Sequence, residues 1–148
     1  MEREKQILAN YLKEKGLRKT PERFAILEKI AEYKGHFTVD DLNAYMHEKN
    51  FPVSRSTLYN AVQLFLECDL IERHTFDSNV AYYERKFNKE PHNHQICTVC
   101  GKITKHRNRE LNRQIKHIGF RGFKVESYQL NLYGICKKCQ REAQKNKE

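Results

Sequence analysis

Two Cys-x-x-Cys pairs place the strongest constraint on how this chain can fold. A Cys-x-x-Cys turn lets two thiolates converge on one ion, and two such turns complete a closed tetrahedral zinc site. The 35 residues between the pairs must then fold back to bring the two turns together. The spacing therefore predicts a structural Zn²⁺ that holds the second half of the chain together. Its predicted ligands are Cys97, Cys100, Cys136 and Cys139.

The alternatives for these cysteines are a redox-active dithiol and chance spacing. No apolar run approaches the length of a signal sequence or a membrane span, so we expect a cytoplasmic protein whose thiols stay reduced. The cysteine count of five is odd, which also argues against a disulfide framework. Cys68 lies between Leu66 and Leu70 in the sequence, and we expect it to be a small core residue rather than a ligand.

The first part of the chain has the pattern of four helices followed by a hairpin. Apolar residues recur at helical spacing in four segments. Two alternating segments, 70–76 and 80–87, follow, and Asp77-Ser78-Asn79 supplies hairpin turn chemistry between them. This is the element order of a winged helix, although proteins that touch no nucleic acid share it. The predicted helix start and stop signals are Gly16, Thr20-Pro21, Thr38 and Ser54.

The second part of the chain predicts a small α+β domain after a polar linker. The linker spans 88–93 and contains one of only three prolines. Beyond it the patterns predict short strands, one helix and a charged C-terminal tail. The predicted strands are 94–97, 102–106 and 128–133, the helix is 109–120 and the tail is 140–148.

The positive charge of the chain is confined to its second half. The net charge is +9, yet residues 1–90 contain 15 basic and 15 acidic side chains. Residues 91–148 contain 13 basic and 4 acidic side chains. A basic chain favours a nucleic-acid partner, but a neutral first half can bind DNA only through local basic clusters.

Residue types alone leave the histidines undecided and argue against an enzyme. His92 and His94 alternate, so on a strand both imidazoles can share a metal, but the pattern alone favours a polar linker that happens to contain two histidines. No Ser/His/Asp or paired-carboxylate pattern stands out. A zinc bound by four cysteines has no open position for catalysis, so we do not expect an enzyme.

Five segments occur together in the order and at the spacing of a known family. They are GLRKTPERFAIL (16–27), GHFTVDDL (35–42), SRSTLYNAVQLF (54–65), HNHQICTVCGKI (92–103) and YGICKKC (133–139). In these segments the chain resembles the ferric uptake regulator (Fur) family of bacterial metal-responsive repressors. The resemblance implies an α+β protein with a winged-helix DNA-binding domain (1–87), a hinge (88–93) and a dimerisation and metal-binding domain (94–148).

The resemblance also implies which residues contact DNA. The fourth helix becomes the recognition helix in the major groove, with Tyr59 and Asn60 reading bases. Arg18 falls where the family has a basic residue that enters the minor groove, which suits A·T-rich sites. Arg55 and Arg18 can equally belong to a solvated face, but a neutral domain needs such basic residues for DNA contact. The full implied set is Arg18, Arg55, Ser56, Thr57, Tyr59 and Asn60.

A second, regulatory metal site is implied by the same resemblance. Its ligands map onto His36, Glu84, His92 and His94. The family favours Fe²⁺ there, with Zn²⁺ or Mn²⁺ as alternatives. A carboxylate ligand of the family aligns with Lys105, which cannot bind a cation while protonated. A further family metal site is absent, because its positions carry Pro91, Asn93 and Ser127.

These observations predict a homodimeric, metal-dependent repressor that binds A·T-rich inverted-repeat operators in double-stranded DNA and has no membrane partner. Glu84 favours a metal sensor, because peroxide-sensing relatives tend to have aspartate at this position. A zinc- or peroxide-responsive member of the family remains an alternative. A zinc-stabilised interaction protein whose basic half binds acidic partners is the alternative from another class.

Overall fold

The computed structural model describes residues 1–76, 79–87, 92–126 and 128–145. The chain divides into two compact units, Met1–Lys89 and Glu90–Glu148. In the described part of the first unit the elements are α1 (Glu2–Glu14), α2 (Pro21–Glu32), α3 (Val39–Glu48), α4 (Arg55–Glu67), β1 (Ile71–Thr75) and β2 (Ala81–Arg85). In the second unit they are β3 (Asn93–Cys97), β4 (Ile103–His106), α5 (Arg109–His117), β5 (Asn131–Gly134) and α6 (Lys137–Lys145).

The predicted capping residues begin the helices of the first unit. Thr38 and Asp41 form a capping box at α3, in which each side chain accepts a hydrogen bond from the backbone N–H of the other residue. Ser54 caps α4 by accepting from the Thr57 N–H at 3.1 Å. Thr20 is the N-cap of α2 and Pro21 its first residue, but the Thr20 side chain makes no capping hydrogen bond. Three helix starts were therefore confirmed.

Three helices of the first unit end in the same way. Gly16, Asn50 and Asp69 follow α1, α3 and α4 with φ of 63°, 55° and 60°. After α1, the Gly16 N–H donates to the Lys13 carbonyl and the Leu17 N–H to the Leu12 carbonyl, which is a Schellman motif. The other two ends repeat this pattern with Asn or Asp in the left-handed position, where these residues are tolerated better than other non-glycine residues.

One apolar core holds the first unit together. It is built from the inward faces of all four helices together with Phe37, Leu70 and Ile71. Cys68 belongs to this core, and burial raises the pKa of its thiol to about 11. Its predicted role as a core residue is confirmed. The fully buried apolar side chains include Leu8, Leu12, Ile26, Leu27, Ile30, Leu42, Met46, Leu58 and Phe65.

The hairpin of the first unit gains a third backbone partner. Strands β1 and β2 pair antiparallel, and Phe37 pairs with Tyr83 of β2 through two N–H···O=C bonds of 2.9 and 2.8 Å. This pairing fixes the residue before Phe37 beside the end of β2. Asp77 and Ser78 of the predicted turn, and 88–91 of the predicted hinge, lie outside the described residues.

The second unit is a three-stranded sheet with strand order β4-β3-β5. Strand β3 pairs antiparallel with β4 and parallel with β5. Helix α5 ends at His117 rather than at 120, because Ile118 adopts an extended backbone before Gly119. Strand β5 is shorter than predicted and begins at Asn131.

Helix α6 occupies most of the segment that was predicted as a charged tail. The prediction was wrong because polar residues such as Lys, Gln, Arg and Glu are good helix formers, and Cys139 anchors the first turn by its burial. Lys138 and Glu142 lie one helical turn apart, and Lys138 Nζ is 3.8 Å from Glu142 Oε1. In the described part of the chain, no helix has the length and apolar character needed to cross a membrane.

We predict that Gly16→Ala lowers the free energy of unfolding by about 1 kcal/mol, because an L-residue resists the left-handed conformation. A Cβ at this position meets no atom within 4 Å, so the effect is purely conformational. Urea unfolding of the zinc-loaded protein measures it. Lys15→Ala, one residue earlier at the C-cap where φ is −84°, is the control and should change little. Equal stability of the two variants would contradict a left-handed conformation at position 16.

Candidate metal centres

Parallel pairing of β3 and β5 brings the two cysteine pairs together. Cys97 at the end of β3 lies in register with Gly134 at the end of β5, and the Thr98 N–H donates to the Gly134 carbonyl at 2.8 Å. Because parallel strands end at the same edge of a sheet, both Cys-x-x-Cys segments emerge there. Strand β4 and helix α5 lie in the separating sequence, which returns the chain to this edge.

The four sulfur atoms lie within 4.8 Å of one another. The Sγ atoms of Cys100 and Cys136 are 3.8 Å apart. Zinc–sulfur bonds of about 2.3 Å in a tetrahedron place the sulfurs about 3.8 Å apart. The cluster therefore fits a structural zinc ion with little rearrangement.

Backbone N–H groups around the cluster favour thiolates. The N–H groups of Cys100 and Cys136 lower the pKa of the Cys97 thiol to about 6, and the Cys136 N–H lies 3.3 Å from the Cys97 sulfur. The hydrogen bond with the Cys136 sulfur instead raises the pKa of Cys139 to about 12. Four anionic sulfurs at this spacing repel one another, and a divalent cation supplies the charge that lets all four ionise. Gly101 turns the first pair with φ of 71°.

Three further potential metal ligands lie close together in the first unit. His36, His74 and Glu84 each offer one ligand atom, and these atoms lie within 4.8 Å of one another. The Glu84 Oε2 atom is 3.5 Å from His36 Nε2 and 3.7 Å from His74 Nε2. Only 1% of Glu84 and 2% of His74 are exposed. A buried carboxylate between two imidazoles is stabilised by a cation, so this group fits a divalent metal.

The hairpin register explains this cluster. Glu84 pairs with Glu72 across β1 and β2, so His74, two residues along β1, is its diagonal neighbour on the same face. The Phe37–Tyr83 pairing brings His36 beside Glu84. The segment before α3 and the two strands of the hairpin thus place two imidazoles and one carboxylate close together.

The two predicted ligands of the second unit lie together at the start of β3. The rings of His92 and His94 have centroids 5.0 Å apart and are perpendicular. His94 Nδ1 lies 3.2 Å from the Asn131 side-chain oxygen, a contact that orients the ring. Lys105 is directly opposite His94 on β4. The position that aligns with a family carboxylate therefore carries a positive charge beside His94.

The polar face of α4 is the candidate DNA-binding surface. Arg55, Ser56, Tyr59 and Asn60 are exposed there, with 55% of Tyr59 accessible. Thr57 is only half-buried, and its hydroxyl lies 2.8 Å from the Ser54 hydroxyl within the N-cap. Arg18 is exposed in the loop before α2.

The structure thus gathers the four predicted cysteines in the second unit, and His36 with Glu84 in the first. His92 and His94 are neighbours in the second unit. His74 lies in the segment 70–76 that was predicted as a strand of the hairpin, but the sequence pattern did not assign it to the site. The signal was the two-residue period of β1, which puts His74 on the face of Glu72, but only the hairpin register shows that Glu84 shares that face.

Comparisons with known proteins agree on one family. The model of the Ferric uptake regulator family matches residues 14–133. The peroxide operon regulator of Bacillus subtilis (strain 168) is 34% identical over 134 residues, which span 88% of this chain and 90% of that protein. The ferric uptake regulation protein of Haemophilus ducreyi is 32% identical over 129 residues, spanning 84% of this chain and 86% of that protein.

A solved structure confirms the predicted fold class. The ferric uptake regulator Fur of Helicobacter pylori, at 24% identity, gives a TM-score of 0.77 and covers 94% of this chain and 93% of that chain. At this identity the likeness concerns the fold alone.

We predict that Cys97→Ser removes bound zinc and lowers the melting temperature of the second unit. Three thiolates bind Zn²⁺ more weakly than four, and the unit then loses the stabilisation that the bound ion provides. Metal analysis of the purified protein and thermal unfolding measure both effects. Cys68→Ala is the matched control, since it removes a cysteine outside the cluster and should retain the zinc. Full zinc content in Cys97→Ser would refute the site.

Proposed function

This chain belongs to the Ferric uptake regulator family of metal-responsive transcription regulators, and we propose that it is a homodimeric repressor whose DNA binding requires a second, exchangeable metal ion. The observation that carries the proposal is the buried His36–Glu84 pair in the unit that also presents the polar face of α4. Strand β1, which pairs with the Glu84 strand, packs against α4. Metal binding at the hairpin and DNA reading by α4 thus involve adjoining elements.

We propose His36, Glu84, His92 and His94 as ligands of the regulatory ion. An ion bound by His36 and Glu84 fixes the hairpin and the segment before α3 in the unit that carries α4, so its loss changes the unit that meets DNA. Imidazole and carboxylate ligands are harder donors than thiolates, which separates this ion from the zinc bound by four cysteines. Fe²⁺ suits such a mixed nitrogen and oxygen set, and Zn²⁺ or Mn²⁺ are the alternatives.

The second unit supports the homodimer. It exposes large apolar side chains that the chain itself leaves uncovered, including 71% of Phe123 and 54% of Ile118. No residue of α5 is buried. Exposed apolar surface of this kind marks a protein interface, and a C2 pair covers the same patch on both copies. Two copies also supply the two recognition helices that an inverted repeat requires.

Four exposed residues of α4 and its start form the proposed major-groove surface. Asn60 can form the paired hydrogen bonds with which asparagine reads adenine, and Tyr59 offers an aromatic face and a hydroxyl. Arg55 and Ser56 lie at the helix start, where phosphates bind. Thr57 contributes to the N-cap that orients this start, and Arg18 is the proposed minor-groove contact in A·T-rich sites.

A peroxide-responsive regulator is the second candidate. The 34% identity to the Bacillus subtilis peroxide operon regulator favours it. The carboxylate at position 84 is glutamate, which favours the metal sensor. Both candidates need the same ion at the same histidines, so they differ in what happens to the iron-loaded protein when peroxide is added.

We predict that His36→Ala abolishes metal-stimulated operator binding but leaves zinc content and folding unchanged, because His36 lies outside the cysteine cluster. Fluorescence anisotropy of the zinc-loaded protein on an A·T-rich inverted repeat, with and without added Fe²⁺ or Mn²⁺, measures it. His47→Ala removes an exposed histidine of the same unit and is the control. Unchanged metal stimulation in His36→Ala would exclude the proposed ligand. In the same assay, release from DNA on adding peroxide to the iron-loaded wild type selects the peroxide-responsive candidate.

We predict that Asn60→Ala weakens operator binding by about 1–3 kcal/mol and relaxes the preference at one base pair in each half-site. Non-specific binding and its salt dependence should stay as in the wild type, because no charge is lost. Competition titrations with single base-pair variants of the operator measure both. The control is Asn10→Ala, an exposed asparagine of α1. A uniform loss across all operator variants would contradict base reading by Asn60.

A further inference from the structure

We propose that His74 is a direct ligand of the regulatory metal, so that the first unit alone supplies three ligands, the imidazoles of His36 and His74 and the carboxylate of Glu84. The inference rests on the proposed function, because it concerns the same ion. It extends the ligand set by one residue of the wing that the sequence pattern left unassigned.

The distances around Glu84 suit a shared ion. Glu84 Oε2 lies 3.5 Å from His36 Nε2 and 3.7 Å from His74 Nε2. Metal–nitrogen and metal–oxygen bonds of about 2.0–2.2 Å separate neighbouring ligand atoms by roughly 3–3.5 Å. An ion therefore fits among the three atoms after shifts of a few tenths of an ångström. Both histidines present the same nitrogen to the carboxylate.

Ring packing holds His74 in this orientation. Its imidazole stacks on Phe76 with centroids 5.4 Å apart and an interplanar angle of 6°. The His36 ring meets it edge-on at 5.1 Å. Only 2% of His74 is exposed, so its ring is shielded from solvent. A buried imidazole fixed beside a buried carboxylate is the preorganisation that a metal ligand requires.

The local charges also favour a cation at this point. Glu72 Oε1 lies 3.5 Å from His74 Nε2, so two carboxylates flank this imidazole. A divalent ion among Glu84 and two neutral imidazoles balances that negative charge.

The inferred set has a chemical consequence for the choice of metal. Two histidines and one carboxylate that leave further positions open are typical of non-haem Fe(II) sites. Open positions of this kind are compatible with the exchangeable ion of the proposed function.

Substitution of the candidate ligand by cysteine tests direct contact in the full chain. When Co²⁺ is added to zinc-loaded His74→Cys, we expect a thiolate-to-cobalt charge-transfer absorption that the zinc-loaded wild type lacks. His47→Cys places a thiol on an exposed part of α3 and should show no such band. Cobalt bound by His74→Cys without the band would overturn the inference, because a thiol in contact with the ion must produce it.

Affinity and the unsubstituted protein provide two further measurements. His74→Gln should bind Co²⁺ at least tenfold more weakly, whereas His47→Gln should bind it as the wild type does. If either His74 variant fails to fold, ¹⁵N spectra of histidine-labelled wild type decide the question. The Nε2 signal of His74 should then shift on coordination to added Zn²⁺, and an unshifted signal would refute the inference.

The outcomes separate this inference from the function on which it rests. Wild-type protein that takes up no second metal contradicts both. Wild-type protein whose DNA binding responds to metal, together with unchanged metal affinity in His74→Gln, contradicts only the role of His74.

Discussion

Parallel pairing of β3 with β5 is the interaction on which the second unit depends. The described part of this unit has few buried apolar side chains, chiefly Ile96, Cys97 and Cys139, so it cannot gain much stability from an apolar core. The pairing places Cys97 and Gly134 in register and thereby brings four sulfurs within bonding range of one ion. Strand pairing and metal binding reinforce each other, because each supplies the close approach that the other needs.

In the first unit, the comparable constraint is the backbone pairing of Phe37 with Tyr83. It ties the segment before α3 to the hairpin and places His36 beside Glu84. A buried carboxylate destabilises the fold in the absence of a compensating charge, so this arrangement favours the binding of a cation at the hairpin. The same unit presents the exposed face of α4, whose inward face packs in the apolar core.

Much of this organisation was predictable because it is encoded locally. The capping signals at Thr38 and Ser54 mark helix starts through hydrogen bonds between neighbours in sequence. The cysteine spacing predicts a common site because few other arrangements use two such pairs. Cys68 was recognisable as a core residue from its apolar neighbours.

Features that depend on distant pairing were not predictable in this way. His74 joins Glu84 through the register of two strands, which the sequence does not specify. Helix α6 was mistaken for a tail because its polar composition hides the burial of Cys139. Strand β5 is displaced from its predicted range because its limits follow from the pairing with β3 rather than from its own alternation.

An ion pair lies at the start of α4, on the proposed DNA-binding surface. Arg55 lies 2.6 Å from the carboxylate of Asp40, and both side chains are well exposed. On this surface, a phosphate that binds Arg55 would have to displace the carboxylate of Asp40. This competition would weaken phosphate contacts at the start of α4, so recognition there would depend more on contacts with base edges.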